Sequence, residues 1–205
     1  MPIFSTHLLL NQLQHQTEQH LQLAISNWQM ISHTRFSKKP TTASWSANEC
    51  LQHLNSYGNY YLPAIEKAIS AAQQTSPSNV FRTGWLGNYF TNLMKPGSEN
   101  KPLKKMKAPK DHSPVSISES HTVISTFIDQ QEKILQLLEQ AKLVNLESVR
   151  IPVSISKIIR LKLGDTFNFL VMHNTRHVQQ AQKALGSTAD NSGSYMLLEK
   201  ALINK

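Results

Sequence analysis

The sequence predicts an all-α protein, a four-helix bundle whose second and third helices are joined by a long crossover carrying a short extra helix. Three observations predict it. Apolar residues recur at spacings of three, four and seven along four long stretches, the signature of one buried helix face. Turn-forming and proline-rich segments fall between those stretches. No internal repeat and no convincing β-hairpin interrupts the pattern.

The first helix is expected over about residues 5–34, with Leu10, Leu13, Leu21, Ala24, Trp28 and Ile31 on one face. The second is expected over about 44–74, starting at Ser44 or Ser46; Glu49 lies three residues beyond Ser46, the spacing of a capping box. Its stripe is Ala47, Cys50, Leu54, Tyr57, Tyr61, Ile65, Ala68 and Ala72, and Pro63 within it predicts a kink. Thr75-Ser76-Pro77-Ser78-Asn79 stops this helix. Residues 75–115 form the crossover, punctuated by Pro96, Pro102, Pro109 and Pro114. Within it, FRTGWLGNYFTNLM predicts a short helix packing Trp85, Tyr89, Phe90 and Leu93 onto the body. So long a connection in a compact domain reads as a crossover or a functional lid. The third helix is expected over about 116–142, with Ile124, Phe127, Ile128, Leu135 and Leu138 inward. RIPVSISKIIRLKLG, rich in β-branched residues but holding Pro152, fits either extended chain or a helical turn. The fourth helix, about 165–185, is capped by Asp165, carries Phe167, Leu170, Val171, Val178, Ala181 and Leu185, and ends at Gly186. A polar stretch then leads to a short apolar tail at 187–205, and the whole of 1–205 reads as one domain.

With 205 residues and 40% hydrophobic composition, the chain can bury a sizeable core. No run of about 18 apolar residues is present, so no membrane span is expected. The N-terminus lacks a basic region and a small-residue cleavage site, so no signal peptide is read. Cys50 has no intramolecular partner, sits on the inner stripe, and is assigned no redox role. A cytoplasmic location follows as the expectation. The net charge of +8 and pI near 9.6 invite a nucleic-acid reading. Its distribution argues against one: the stretch from Lys95 to Lys110 holds six lysines and one glutamate, so most of the excess belongs to one loop. No aromatic interleaving or nucleic-acid signature accompanies it.

Nine histidines are present, and one H-x-x-x-H pair, His173 and His177, occurs within HNTRH. Chance alone supplies roughly 0.4 such pairs at this frequency, so spacing is weak evidence. Position says more. On a 3.6-residue period both residues lie about 80–110° from the centre of the fourth helix's stripe, and His53 lies about 100° from that of the second. Each flanks a core stripe, where an imidazole could look into a cleft or simply be a half-buried polar residue. Neutral imidazole suits zinc, nickel and other borderline divalent ions. His20 falls near the inner stripe of the first helix as the one substitute ligand, a satisfied core histidine being its simpler role. His7, His15, His33, His112 and His121 belong to polar faces or loops.

The run TASWSANECLQHLNSYGNYY resembles the second-helix signature of the DinB-like (YfiT-like) superfamily, which is unrelated to the DNA polymerase sharing that name. Trp45, Ser46, Glu49, Leu51, His53 and Leu54 fill it in order. LGDTFNFLVMHNTRHVQQAQKAL resembles the family's fourth helix, with His173, Asn174, His177 and Gln180 at its motif positions. The lysine-rich KKMKAPK crossover is similar to that of one branch, and the resemblance covers about residues 5–187. It implies a bundle in up-down-down-up order, and homodimers, which are common among relatives. It also implies that His53, His173 and His177 form the family's three-histidine divalent-metal site, loaded with zinc or nickel, with iron or manganese as alternatives. Relatives include thiol-dependent transferases and an isomerase using low-molecular-weight thiols. The resemblance therefore implies a metal-dependent S-transferase acting on small electrophiles; the alternatives are a metal-dependent hydrolase and a non-catalytic stress-associated metal-binding protein. Glu49, one turn before His53, could orient that ring or act as a base, or only complete the capping box. Arg176 and Asn174 could bind an anionic substrate, or Arg176 could be a solvated surface charge.

Overall fold

In the computed structural model, residues 1–72, 76–95, 107–114 and 118–186 are described. The expected core of the lysine-rich loop and the tail at 187–205 lie outside them. The fold is mostly helical. Four long helices, α1 (Thr6–Leu23), α3 (Ala47–Ala71), α5 (Ser120–Ala141) and α6 (Leu163–Ala184), carry the core. Here α1 and α3 each pack against both α5 and α6. Two short helices, α2 (His33–Phe36) and α4 (Trp85–Met94), and two small antiparallel sheets complete the described fold. No helix among the described residues is long and apolar enough to cross a membrane.

The first expected helix is shorter than its apolar stripe. It gives way to a π turn at Ala24–Trp28, and Ser32 then caps α2 by accepting from the Arg35 amide. The wider turn re-registers the chain so that Ala24 and Trp28 both face inward. There Trp28 meets Phe36 and Phe127 with ring centroids 5.9 and 6.2 Å apart. Helix α3 begins where its capping box requires. The Glu49 amide donates to Ser46 Oγ at 3.2 Å, and the Ser46 amide donates to Glu49 Oε2 at 2.9 Å. The helix continues through Pro63, and the residue whose carbonyl loses its donor, Asn59, is exposed.

Two corrections concern strands. Ile3–Ser5 (β1) pairs antiparallel with Val80–Arg82 (β2), so the start of the crossover is tied to the N-terminus. The undecided segment is a hairpin, Arg150–Val153 (β3) with Ser156–Lys162 (β4), with an irregularity between Pro152 and Val153. Pro152 is tolerated because a two-stranded sheet has free edges, where its missing N–H costs no ladder bond. Tyr61 Oη accepts from the Ser154 amide and fastens the hairpin to α3.

Helix α4 forms as expected and packs on the core through Phe90, Leu93 and the buried Met94, but Trp85 and Tyr89 are exposed. Asp165 does not cap α6. Lys162 holds that position without a side-chain bond, and Asp165 lies three residues further on, accepting the Gly84 amide at 2.8 Å. Helix α6 does end at Gly186, whose φ of +77° suits a residue without a Cβ.

The core divides into two clusters. One gathers Leu9, Leu13, Tyr57, Ile65, Leu137 and Phe167; the other gathers Trp28, Phe36, Leu51, Leu54, Phe127 and Val178. Along α3 and α6, His53, His173 and His177 fall where the two clusters meet.

Candidate metal centre

His53 comes from α3, and His173 and His177 from successive turns of α6. All three are buried, at 3, 3 and 8% exposure. One nitrogen from each falls within a sphere of contact in which every pair is closer than 4.8 Å. The His53 and His173 Nε2 atoms are 3.1 Å apart. No carboxylate or thiolate joins this group among the described residues.

Hydrogen bonds set the tautomers. His53 Nδ1 lies 2.6 Å from the carbonyl oxygen of His112, which can only accept, so Nδ1 carries the proton and Nε2 keeps its lone pair. His177 Nδ1 lies 3.0 Å from Gln180 Oε1, and the same accounting leaves its Nε2 free. His173 Nδ1 has no hydrogen-bond partner among the described residues. Burial lowers all three basicities, His53 to about 4, His177 to about 3, and His173 well below the ordinary histidine value. The neighbouring imidazoles and the Arg176 guanidinium push His173 and His177 the same way. At neutral pH the cluster is three uncharged nitrogen donors.

Such donors fit a borderline divalent cation. With nitrogen–metal distances of about 2.0–2.1 Å, two imidazoles on one ion have their nitrogens about 3.0–3.4 Å apart. The Nε2 pair already has that separation. The walls are aromatic. Trp45 lies 5.0 Å from His53 and 5.8 Å from His177, Tyr57 lies 4.4 Å from His173, and Phe169 stacks on His173 at 5.6 Å.

The model of the DinB superfamily matches residues 10–181 of the chain. The chain belongs to the DinB superfamily. No curated protein and no solved structure matches it. The matched span contains His53, His173 and His177 of this DinB-superfamily chain, the three that the motifs singled out, and the structure brings them together.

The other candidates have different positions. Both oxygens of Glu49 are occupied, Oε2 in the capping box and Oε1 in an ion pair with Lys39 at 2.7 Å, and His53 turns to His112 instead. Burial alone would raise the Glu49 carboxyl, but Lys39 and Ser46 outweigh it and hold it below the usual range. Asn174 is committed to α5, donating to Gln131 Oε1 at 3.2 Å. Arg176 is no solvated surface charge: it is 9% exposed and donates to the Leu93 carbonyl at the end of α4, 3.1 Å away. His20 does not join the cluster. Its Nε2 meets Thr175 Oγ1 at 3.1 Å, on the face of α6 opposite His173 and His177. There a cavity of about 340 Å³ lies between α1 and α6, lined by Gln16, His20, Thr175 and Gln179 among others. Cys50 is buried, and burial pushes its thiol up, in keeping with a purely apolar role.

Pattern reading missed His112. It was expected on a polar loop, yet it is 5% exposed and its carbonyl serves His53. Its proline-punctuated surroundings carry no periodic signal. Tyr57 and Phe169 were legible in principle, since each lies four residues along its helix from a histidine, on the same face.

Proposed function

We propose that this DinB-superfamily chain is a metal-dependent enzyme whose His53, His173 and His177 hold one divalent ion, zinc or nickel, and that it transfers a low-molecular-weight thiol onto a small electrophile. The observation that carries the metal assignment is the convergence of three neutral buried imidazoles, two with their Nδ1 protons engaged elsewhere so that Nε2 faces inward. The ring in which each of α1 and α3 packs on both α5 and α6 agrees with the family's up-down-down-up bundle. A bound divalent ion supplies Lewis acidity, which favours the deprotonated form of a thiol.

The chain's own residues favour an anionic reaction partner. Three neutral ligands leave the ion's charge uncompensated, no carboxylate among the described residues joins the cluster, and Arg176 adds a cation near His173 and His177. Trp45, Tyr57 and Phe169 present apolar surface around the imidazoles, limiting competition from water. The thiol reaction itself is supported by the family resemblance. A second copy of the chain, as in related homodimers, and a cytoplasmic location complete the reading.

The test is elemental analysis of untagged protein beside the variant with His53, His173 and His177 all changed to Ala. About one equivalent of divalent metal in the former and none in the latter is expected. Full occupancy in the variant would sink the assignment. With metal established, turnover of electrophiles only in the presence of a thiol supports transfer; turnover of esters or amides without thiol redirects the reading to a hydrolase.

A further inference from the structure

We propose that the far end of the crossover is a working part of the metal centre, with His112 as a positioning residue: its main-chain carbonyl orients His53, and its side chain anchors that carbonyl. The inference rests on the metal reading above. His112 closes a 3₁₀ turn, Lys110–His112, in which its amide donates to the Pro109 carbonyl at 3.0 Å. Its carbonyl accepts the His53 Nδ1 proton at 2.6 Å. Its ring packs on Tyr57 with centroids 3.9 Å apart, and its Nδ1 is hydrogen-bonded to Ser56 Oγ. Ser56 and Tyr57 follow His53 by three and four residues on α3. The turn of helix after the ligand therefore grips the residue that orients the ligand.

The consequence is chemical. Imidazole free in a pocket divides between two tautomers, and only one leaves Nε2 bare toward the cluster. A carbonyl at Nδ1 selects that tautomer and fixes the ring's direction. Loss of such outer partners typically weakens metal affinity about 10–100-fold. Ser56, on the α3 surface, and His112, from a loop, thereby tune a site to which neither contributes a ligand.

Zinc affinity, measured by competition with a chromophoric chelator, and the His53 tautomer, read from long-range ¹H–¹⁵N NMR couplings in metal-free protein, test this together. Metal-free wild type should show His53 protonated at Nδ1. His112→Ala and Ser56→Ala should weaken zinc about 10–100-fold and mix the tautomers. His112→Asn, whose side chain keeps a polar atom near the Nδ1 position, should recover affinity to within a few-fold of wild type. Unchanged affinity in both alanine variants, equal loss in His112→Asn and His112→Ala, or His53 protonated at Nε2 in wild type would overturn the proposal. Should His112→Ala fail to fold, Ser56→Ala carries the comparison. A wild type that takes up neither zinc nor nickel overturns the metal reading instead, and the metal-free tautomers of wild type and Ser56→Ala then decide the positioning role alone.

Discussion

Replacing Asp165 by Asn should remove a pH dependence that the wild-type chain carries between about pH 4 and pH 6. Asp165 is 1% exposed and boxed in by the first turn of α4: a Cβ on Gly87 would come 2.4 Å from its Oδ2. Burial raises its pKa from 3.8 to about 6, against the pull of the Gly84 hydrogen bond and of Lys162 and Arg150. At 1.36 kcal/mol per pKa unit, that rise corresponds to about 3 kcal/mol. The sign follows from the direction. Below the unfolded value both states are protonated and the group costs nothing. As pH climbs through the window the unfolded chain ionises first, and above about 6 the folded state holds a carboxylate it disfavours. Of that total, wild type should therefore lose about 2 kcal/mol relative to Asp165→Asn between pH 4 and pH 7. The amide oxygen still accepts from Gly84, and its extra buried donors impose a cost that does not vary with pH. Urea unfolding followed by circular dichroism in chelator, at several pH values, isolates the difference because all other titrating groups are shared. A flat difference, or a wild type that gains on the variant as pH rises, would refute the reasoning.

Gln180→Ala should weaken zinc about 10–100-fold by releasing the His177 Nδ1 proton from its acceptor, as chelator competition will show. Glu49→Ala should cost about 1 kcal/mol of stability, by loss of the cap, and leave zinc affinity within about two-fold; a large affinity loss would restore a role beside His53. Gly87→Ala should destabilise by about 1–3 kcal/mol in thermal melts, since its Cβ would lie 2.1 Å from Asp165 Cγ and α4 must move away.

Of the sites named from pattern, those that depend on one helix at a time were the safest. The Ser46–Glu49 box, the Gly186 stop and the inward residues of α3 are local properties of the chain, and each is found in place. Asp165 shows where local reading fails. An acidic residue near a helix start suggests a cap, yet this one is held by Gly84, 81 residues away in sequence. The hairpin at 150–162 was obscured by Pro152, whose cost depends on whether a third strand lies alongside. Trp85 and Tyr89 mislead in the opposite way, since aromatic character argues for burial but α4 offers only one edge to the core.

The sequence by itself determined the long helices, their inner faces and, through two motifs in separate helices, the identity of the three histidines. It could not decide whether those histidines meet. Each lies about 100° from the centre of its stripe, a flank that is buried only if a second neighbour packs there. Only the tertiary structure supplies that neighbour: α3 packs on α5 and α6 at once, so the flank bearing His53 closes against His173 and His177. The same packing brings the His112 carbonyl, 59 residues distant in sequence, onto His53 Nδ1, a contact made by backbone and therefore invisible to any pattern of side chains.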